Sequence, residues 1–217
     1  MTRSLVLSGG PGHPASASAP ALTQVLGPDT EFTDDVAGGL AALDPTRHDL
    51  LVVNALAFQM LDDRYDDEAR QAHAFRLDAA GRGAIEEWIG AGQPLLALHT
   101  AVISFDDWPR WRSIVGAGWD WSRSWHPPIG TLTVDVSAPE LPSFTVVDER
   151  YTDLVMADDI DVLATVDDVP VAWRRTEGVA RIACSTLGHD ERSLDDPSHR
   201  RLLRSMTTWL LEVPCPT

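Results

Sequence analysis

Residues 49–54 read Asp-Leu-Leu-Val-Val-Asn, four aliphatic side chains in a row with no polar alternation. A strand with one face in water alternates polar and apolar residues. An unbroken aliphatic run instead fits a strand covered on both faces, as in a parallel sheet flanked by helices. Similar runs stand at residues 4–8, closed by Gly9-Gly10-Pro11-Gly12, and at 94–98, closed by His99. Between the second and third runs Asp78 can cap a helix whose Ile85, Trp88 and Ile89 share one face, and which Gly90 and Gly92 end. Strand, helix and strand in this succession specify right-handed crossovers and an α/β layered fold with a mostly parallel central sheet.

The remaining pattern fits that frame. A helix is expected from Pro20 to Leu26, ended by Gly27, and a second strand at 30–33. The acidic stretch 62–76 reads as a solvated loop or a short exposed helix. Asp106 or Asp107 starts a helix through Trp111 and Val115, and 116–128 reads as a long Trp-rich loop. Short apolar runs at 131–136, 144–147, 160–165, 169–173 and 179–184 predict hairpins added to the sheet. Asp196 with Pro197 opens a last helix with Leu202, Leu203, Met206, Trp209 and Leu210 along one stripe. With no internal repeat, low-complexity tract or linker, residues 1–217 read as one domain.

Charge narrows the partners. The chain carries 33 acidic residues against 17 arginines, has no lysine, and has a formal charge of -16. Such a surface repels phosphate backbones and anionic lipid, which argues against nucleic-acid and membrane partners and leaves small neutral or cationic ligands. Cys184 and Cys215 form neither a metal-type pair nor a Cys-x-x-Cys, a usage that fits a reducing cytoplasm. The apolar stretch 50–61 is interrupted by Asn54 and Gln59 and is too short for a membrane span. Ala15-Ser16-Ala17 mimics a signal-peptidase site, yet only Leu5-Val6-Leu7 is apolar upstream, so a cytoplasmic location is expected.

In open α/β sheets ligands bind beyond the carboxyl ends of the strands. His13, His99, Glu149 and His189 each follow a predicted strand, and His126 follows the Trp-rich segment. Such a set suits a divalent first-row metal such as zinc, held by His99, His126, His189 and Glu149. Alternatively it suits general acid and base catalysis by the same four residues, and no local spacing such as His-x-His supports the metal reading. The structural alternative for each is bland: a strand-end histidine bonded to backbone at His99, a turn residue at His189, a solvent-exposed ring at His126. His48, His73 and His199 read as surface residues.

Five of the eight tryptophans lie between Trp108 and Trp125. Trp119, Trp121 and Trp125 are candidate carbohydrate platforms, while Trp108 and Trp111, at helical spacing, read as packing. The glycines at 9–12 lack the spacing of a dinucleotide loop and the lysine of a P-loop. They are expected to let the backbone turn tightly and approach a ligand.

Several segments carry a family resemblance. Trp88-Ile89-Gly90-Ala91-Gly92, Leu95-Leu96-Ala97-Leu98-His99-Thr100-Ala101, His126-Pro127, Val147-Asp148-Glu149-Arg150-Tyr151, Pro170-Val171-Ala172-Trp173 and Leu187-Gly188-His189 occur in the order of the ThuA-like (trehalose-utilisation) family. The resemblance implies a flavodoxin-like three-layer α/β/α sandwich of the class I glutamine amidotransferase type, often assembled as homo-oligomers. Amidotransferases present a nucleophilic cysteine in a Gly-x-Cys-x-Gly turn where this chain has Leu98-His99-Thr100, so thiol-based amide hydrolysis is disfavoured. It further implies a role in catabolism of trehalose-type disaccharides and their keto forms, with His13, His99, His126, Glu149 and His189 at the family's polar positions.

Two functions follow as expectations. In the first, an enzyme performs proton transfer beside a carbonyl or metal-assisted hydrolysis on a sugar or keto-sugar. His99, Glu149, His189 and His126 do the chemistry, and His13, Tyr151 and the three loop tryptophans bind substrate. In the second, the protein binds sugar or regulates without catalysis, on a fold that lacks the nucleophile.

Overall fold

The computed structural model describes residues 2–138 and 140–212. Its centre is a nine-stranded sheet in the order β2-β1-β3-β4-β11-β10-β9-β6-β7. The parallel half comprises β1 (Ser4–Gly9), β2 (Thr30–Thr33), β3 (Leu50–Ala55), β4 (Leu95–Leu98) and β11 (Ala180–Ser185). β11 is also the seam, because its other edge pairs antiparallel with β10 (Val169–Glu177). The antiparallel half continues through β9 (Asp161–Val166) to β6 (Gly130–Val136) and β7 (Phe144–Asp148). The fold is thus mixed α/β, parallel and then antiparallel.

The aliphatic runs do what their composition predicts. Leu5, Leu7, Leu51, Val53, Ala97 and Cys184 point into one core, and Val6, Leu50, Val52, Leu96 and Ala183 into the other. One core is closed by α2 (Val36–Ala41), α4 (Ala79–Gly90) and α5 (Pro109–Val115), the other by α1 (Ala15–Leu26), α6 (Glu191–Leu194) and α7 (Pro197–Leu211). Each buried Leu or Val contributes roughly 1.5–3 kcal/mol relative to an exposed one. Polar residues along the middle of these strands would therefore be costly, and the buried Ser4, Ser8 and Asn54 stand at or near strand ends. The acidic stretch contains α3 (Asp67–His73), which buries no residue.

Some boundaries differ from the sequence reading, each for a tertiary reason. The first helix starts at Ala15, with Pro20 inside it, because Asn54 Nδ2 donates to Ser18 Oγ at 3.1 Å and ties down the early turn. Asp106 and Asp107 do not cap α5. They accept instead from Gln59 N at 2.9 Å and Leu77 N at 3.3 Å, and Arg82 donates to Asp107 at 2.7 Å. Within the Trp-rich loop, β5 (Ala117–Gly118) pairs with β8 (Val155–Met156).

His48 and His199 are buried, not surface residues. His48 Nδ1 accepts from Asp44 N at 3.2 Å and closes the turn before β3, whereas His199 Nδ1–H donates to Ser193 O at 3.1 Å under α7. His73 is exposed as expected. Gly10, at φ +108, makes its close approach to backbone, since a Cβ there would lie 2.4 Å from Leu56 O.

Among the described residues Asp135↔Thr165 and Val136↔Ala164 join β6 to β9, so the β6–β7 hairpin is attached to the sheet at one end, and β7 packs against α6 and α7. This arrangement brings the end of β7 to the rim where β1, β4 and β11 terminate. Among the described residues no helix is long and apolar enough to cross a membrane.

Candidate active site

His99 follows β4 and opens a single turn of 3-10 helix, His99–Val102. Its backbone sits at φ +45, a left-handed conformation uncommon for a side chain of this size. The turn aims the ring at the rim, where Nδ1 lies 2.8 Å from Thr186 O. A carbonyl only accepts, so Nδ1 carries the proton. Burial holds the imidazolium form off, pushing the His99 pKa well below its ordinary value, so Nε2 stays unprotonated and acts as an acceptor.

His13, in the loop after β1, repeats the arrangement. Its Nδ1–H donates to Pro11 O at 2.9 Å, and burial again lowers its pKa. Both Nε2 atoms stand 3.2 Å from Nδ1 of His189, which follows β11. The three nitrogens lie within 4.8 Å of one another.

Glu149 leans over this cluster, with Oε2 3.5 Å from His189 Nδ1 and 3.7 Å from His99 Nε2. Burial pushes its carboxyl pKa up, against a downward pull from His189 and His126. The Tyr151 hydroxyl is 3.0 Å from His99 Nε2, and burial raises the phenol well above its usual range, so it keeps its proton.

Asp148 supplies the support beneath. Its carboxylate accepts from Gly188 N at 2.7 Å, Glu149 N at 2.7 Å and His189 N at 3.3 Å. One buried side chain thereby fastens the end of β7 to the loop that carries His189. Sequence reasoning assigned Asp148 no role, because its neighbour Glu149 offered the more obvious chemistry.

Of the residues singled out in sequence, His13, His99, His189, Glu149 and Tyr151 meet in one place. His126 stands further out, 40% exposed, with Nδ1 3.6 Å from Glu149 Oε1, and outside the nitrogen cluster that His13 joins. A cavity of 120 Å³ opens above, lined by His13, Glu149, Tyr151, His126, Trp119 and Trp121 among others. Trp121 stacks on Phe58 with ring centres 5.3 Å apart, and Trp119 meets Tyr151 edge-on at 5.4 Å. Trp125 is 48% exposed, bonds Asp153 Oδ2 at 3.2 Å and does not line the cavity. Phe58, Arg64, Tyr65 and Thr100 line it without having been foreseen, Arg64 and Tyr65 because their acidic neighbourhood read as solvated.

Imidazoles whose far N–H is held by a carbonyl are the usual form of metal-ligating histidine. Zinc–nitrogen bonds of about 2.1 Å at tetrahedral angles separate two donors by about 3.4 Å. The 3.2 Å spacings here are close to that. His13, His99 and His189 therefore fit a divalent ion in donor type and spacing, with Glu149 beside two of them. Cys184 is buried in the core within β11, with its thiol pushed up by burial, and Cys215 lies outside the described residues.

A family model described as ThuA, trehalose utilisation, matches residues 3–210. Among solved structures, a protein described as ThuA-like from Parabacteroides merdae superposes with a TM-score of 0.76 at 18% identity, covering 100% of this chain and 92% of its own. A second, from Bacteroides uniformis, gives 0.65 at 16%, covering 95% and 89%. A cytoplasmic protein of Salmonella typhimurium gives 0.63 at 14%, covering 96% and 98%. At such identities the likeness is one of fold. No curated protein matches the sequence.

Proposed function

The chain belongs to the ThuA (trehalose utilisation) family, and from that premise we propose that it is an enzyme acting on a trehalose-type sugar or keto-sugar at the His13–His99–His189–Glu149 cluster. The observation that carries the proposal is the pair of imidazole lone pairs, on His13 and His99, both fixed by backbone carbonyls and both facing His189 Nδ1. Two neutral rings, His99 buried and His13 half-buried, arranged in this way serve better as donors to an electrophile than as packing.

A divalent ion held by His13, His99 and His189 would supply Lewis acidity to a sugar oxygen. The chain's own groups supply the rest. Glu149, its carboxyl pKa raised by burial, takes and returns a proton. Tyr151 keeps its proton and donates a hydrogen bond to a substrate oxygen. Trp119 and Trp121 offer apolar faces for a sugar ring. His126, at the mouth, faces the outer oxygen of Glu149 and assists its proton exchange with solvent.

The finer fold assignment, flavodoxin-like and of the amidotransferase type, is supported by the order β2-β1-β3-β4-β11 in the parallel half, the 2-1-3-4-5 order of such sheets. A cytoplasmic location is in keeping with the description of the Salmonella neighbour.

The test is metal analysis of protein purified without added metal, followed by incubation with trehalose, related disaccharides and their keto derivatives. About one equivalent of divalent metal and turnover abolished by His99→Ala are expected. Turnover that survives His99→Ala overturns the assignment. Tight sugar binding without turnover of any member favours the non-catalytic alternative.

A further inference from the structure

The cavity above the imidazoles is small. At 120 Å³ it lies well below the roughly 300 Å³ at which pockets begin to take drug-sized ligands. Beside it lies a second hollow of 430 Å³, which shares Ile103, Trp119 and Trp121 as walls. To these it adds Gln59, Asp106, Trp108 and Arg112.

Two features of the shared wall and floor point to a polar ligand. The indole N–H of Trp119 is buried without a hydrogen-bond partner, and so is the hydroxyl of Thr100 at the base of the smaller cavity. Of the nine buried side-chain atoms without a partner among the described residues, these two border one cavity, where a ligand or water oxygen would complete them. The larger hollow also has indole walls together with a carboxylate, an amide and a guanidinium. Asp106 is half-buried and accepts from Gln59 N at 2.9 Å, and the side chains of Trp121 and Gln59 also hydrogen-bond its carboxylate, which holds it at the edge of the indole wall. Flat apolar surfaces rimmed by a few polar groups match the alternation of C–H faces and hydroxyls on a pyranose.

We propose that this hollow seats the second ring of a two-ring carbohydrate whose first ring lies over the imidazoles, with Trp119 and Trp121 forming the partition between the two rings. This deepens the sugar reading of the site and rests on it. Trp108 and Arg112 become specificity residues, since they line the larger hollow and not the smaller cavity. A one-ring sugar leaves them untouched.

The experiment measures binding of α,α-trehalose and D-glucose, and of a keto derivative of each, by calorimetry and tryptophan emission. The proteins are the wild type, Arg112→Ala and Trp108→Leu. Two-ring sugars are expected to bind the wild type at least tenfold more tightly than their one-ring counterparts. Both variants are expected to erase that advantage while one-ring affinity stays within twofold. Arg112 is on the exposed face of α5, so its variant keeps the test decisive if Trp108→Leu fails to fold. One-ring and two-ring sugars bound equally by the wild type, or an advantage that persists in the variants, overturns the second seat while leaving the sugar reading intact. Binding of neither class overturns both.

Discussion

His99 gives its Nδ1 proton to the Thr186 carbonyl at 2.8 Å, joining the turn after β4 to the segment after β11. These are neighbouring parallel strands, and the bond fixes the ring's tautomer as well as its direction. The reactive nitrogen is thus determined by backbone and not by another ionisable group, which keeps it a neutral donor over a wide pH range.

That neutrality predicts how stability responds to acid. Burial lowers the pKa of His99, His13 and His199 below the ordinary 6.5. Above about 6.5 folded and unfolded chains are both unprotonated at these sites and stability is full. As pH falls from there toward the folded values, the unfolded chain takes up protons that the folded one refuses, and stability is lost. Glu149, raised from 4.5, acts in the opposite sense as pH climbs from that value, but it is one group against three. Urea unfolding of metal-free protein is expected to show a lower midpoint at pH 5 than at pH 7, and His199→Gln a shallower dependence. A flat profile would contradict the buried neutral state.

The nitrogen cluster predicts which histidines matter for metal. His13→Ala and His189→Ala are expected to lower metal affinity by at least tenfold, and His126→Ala to leave it nearly unchanged, as read by competition with a chelator. Loss of metal in His126→Ala but not in His13→Ala would restore the ligand set expected from the sequence.

Much of this is legible in the amino-acid sequence. The unbroken aliphatic runs announce the parallel strands, since only two-sided burial tolerates Leu-Leu-Val-Val without a polar break. Position after a strand was enough to select His13, His99, Glu149 and His189. What was hidden is tertiary. Nothing in the acidic stretch distinguishes Arg64 and Tyr65, which reach the cavity, from their solvated neighbours. His48 and His199 gave no sign of burial, because what buries each is the chain packed around it and not its own segment. Asp148 looked redundant beside Glu149, because its partners, the amides of 188 and 189, lie forty residues away.

Asp148 accordingly makes a strong structural prediction. Its carboxylate satisfies three amides at once, and hydrogen bonds to a charged group are worth about 1.5–3 kcal/mol each. Asp148→Ala leaves these donors unpaired and is expected to destabilise by about 3 kcal/mol or more in urea unfolding. Asp148→Asn keeps an acceptor and should lose less, while still loosening the His189 loop enough to weaken metal binding. Equal stability of Asp148→Ala and wild type would remove the residue from its supporting role.

Tyr151→Phe separates the chemistry of the site from its architecture. The ring stacks on His99 with centres 4.9 Å apart, a contact that phenylalanine preserves. The lost hydroxyl leaves His99 Nε2 with His189 Nδ1 still at 3.2 Å, so the cost to stability should stay near 1 kcal/mol. Catalysis should suffer more. Burial keeps the phenol protonated throughout the working pH range, and a fixed donor facing developing charge on a substrate oxygen is worth about 10²–10³ in rate. Steady-state kinetics on a keto-disaccharide are expected to show kcat reduced by that order with KM little changed. An unaltered kcat would mean that the hydroxyl serves only to hold His99, and the donor to the substrate oxygen must then be sought among Thr100 and the indole N–H of Trp119, the unpartnered groups of the same cavity.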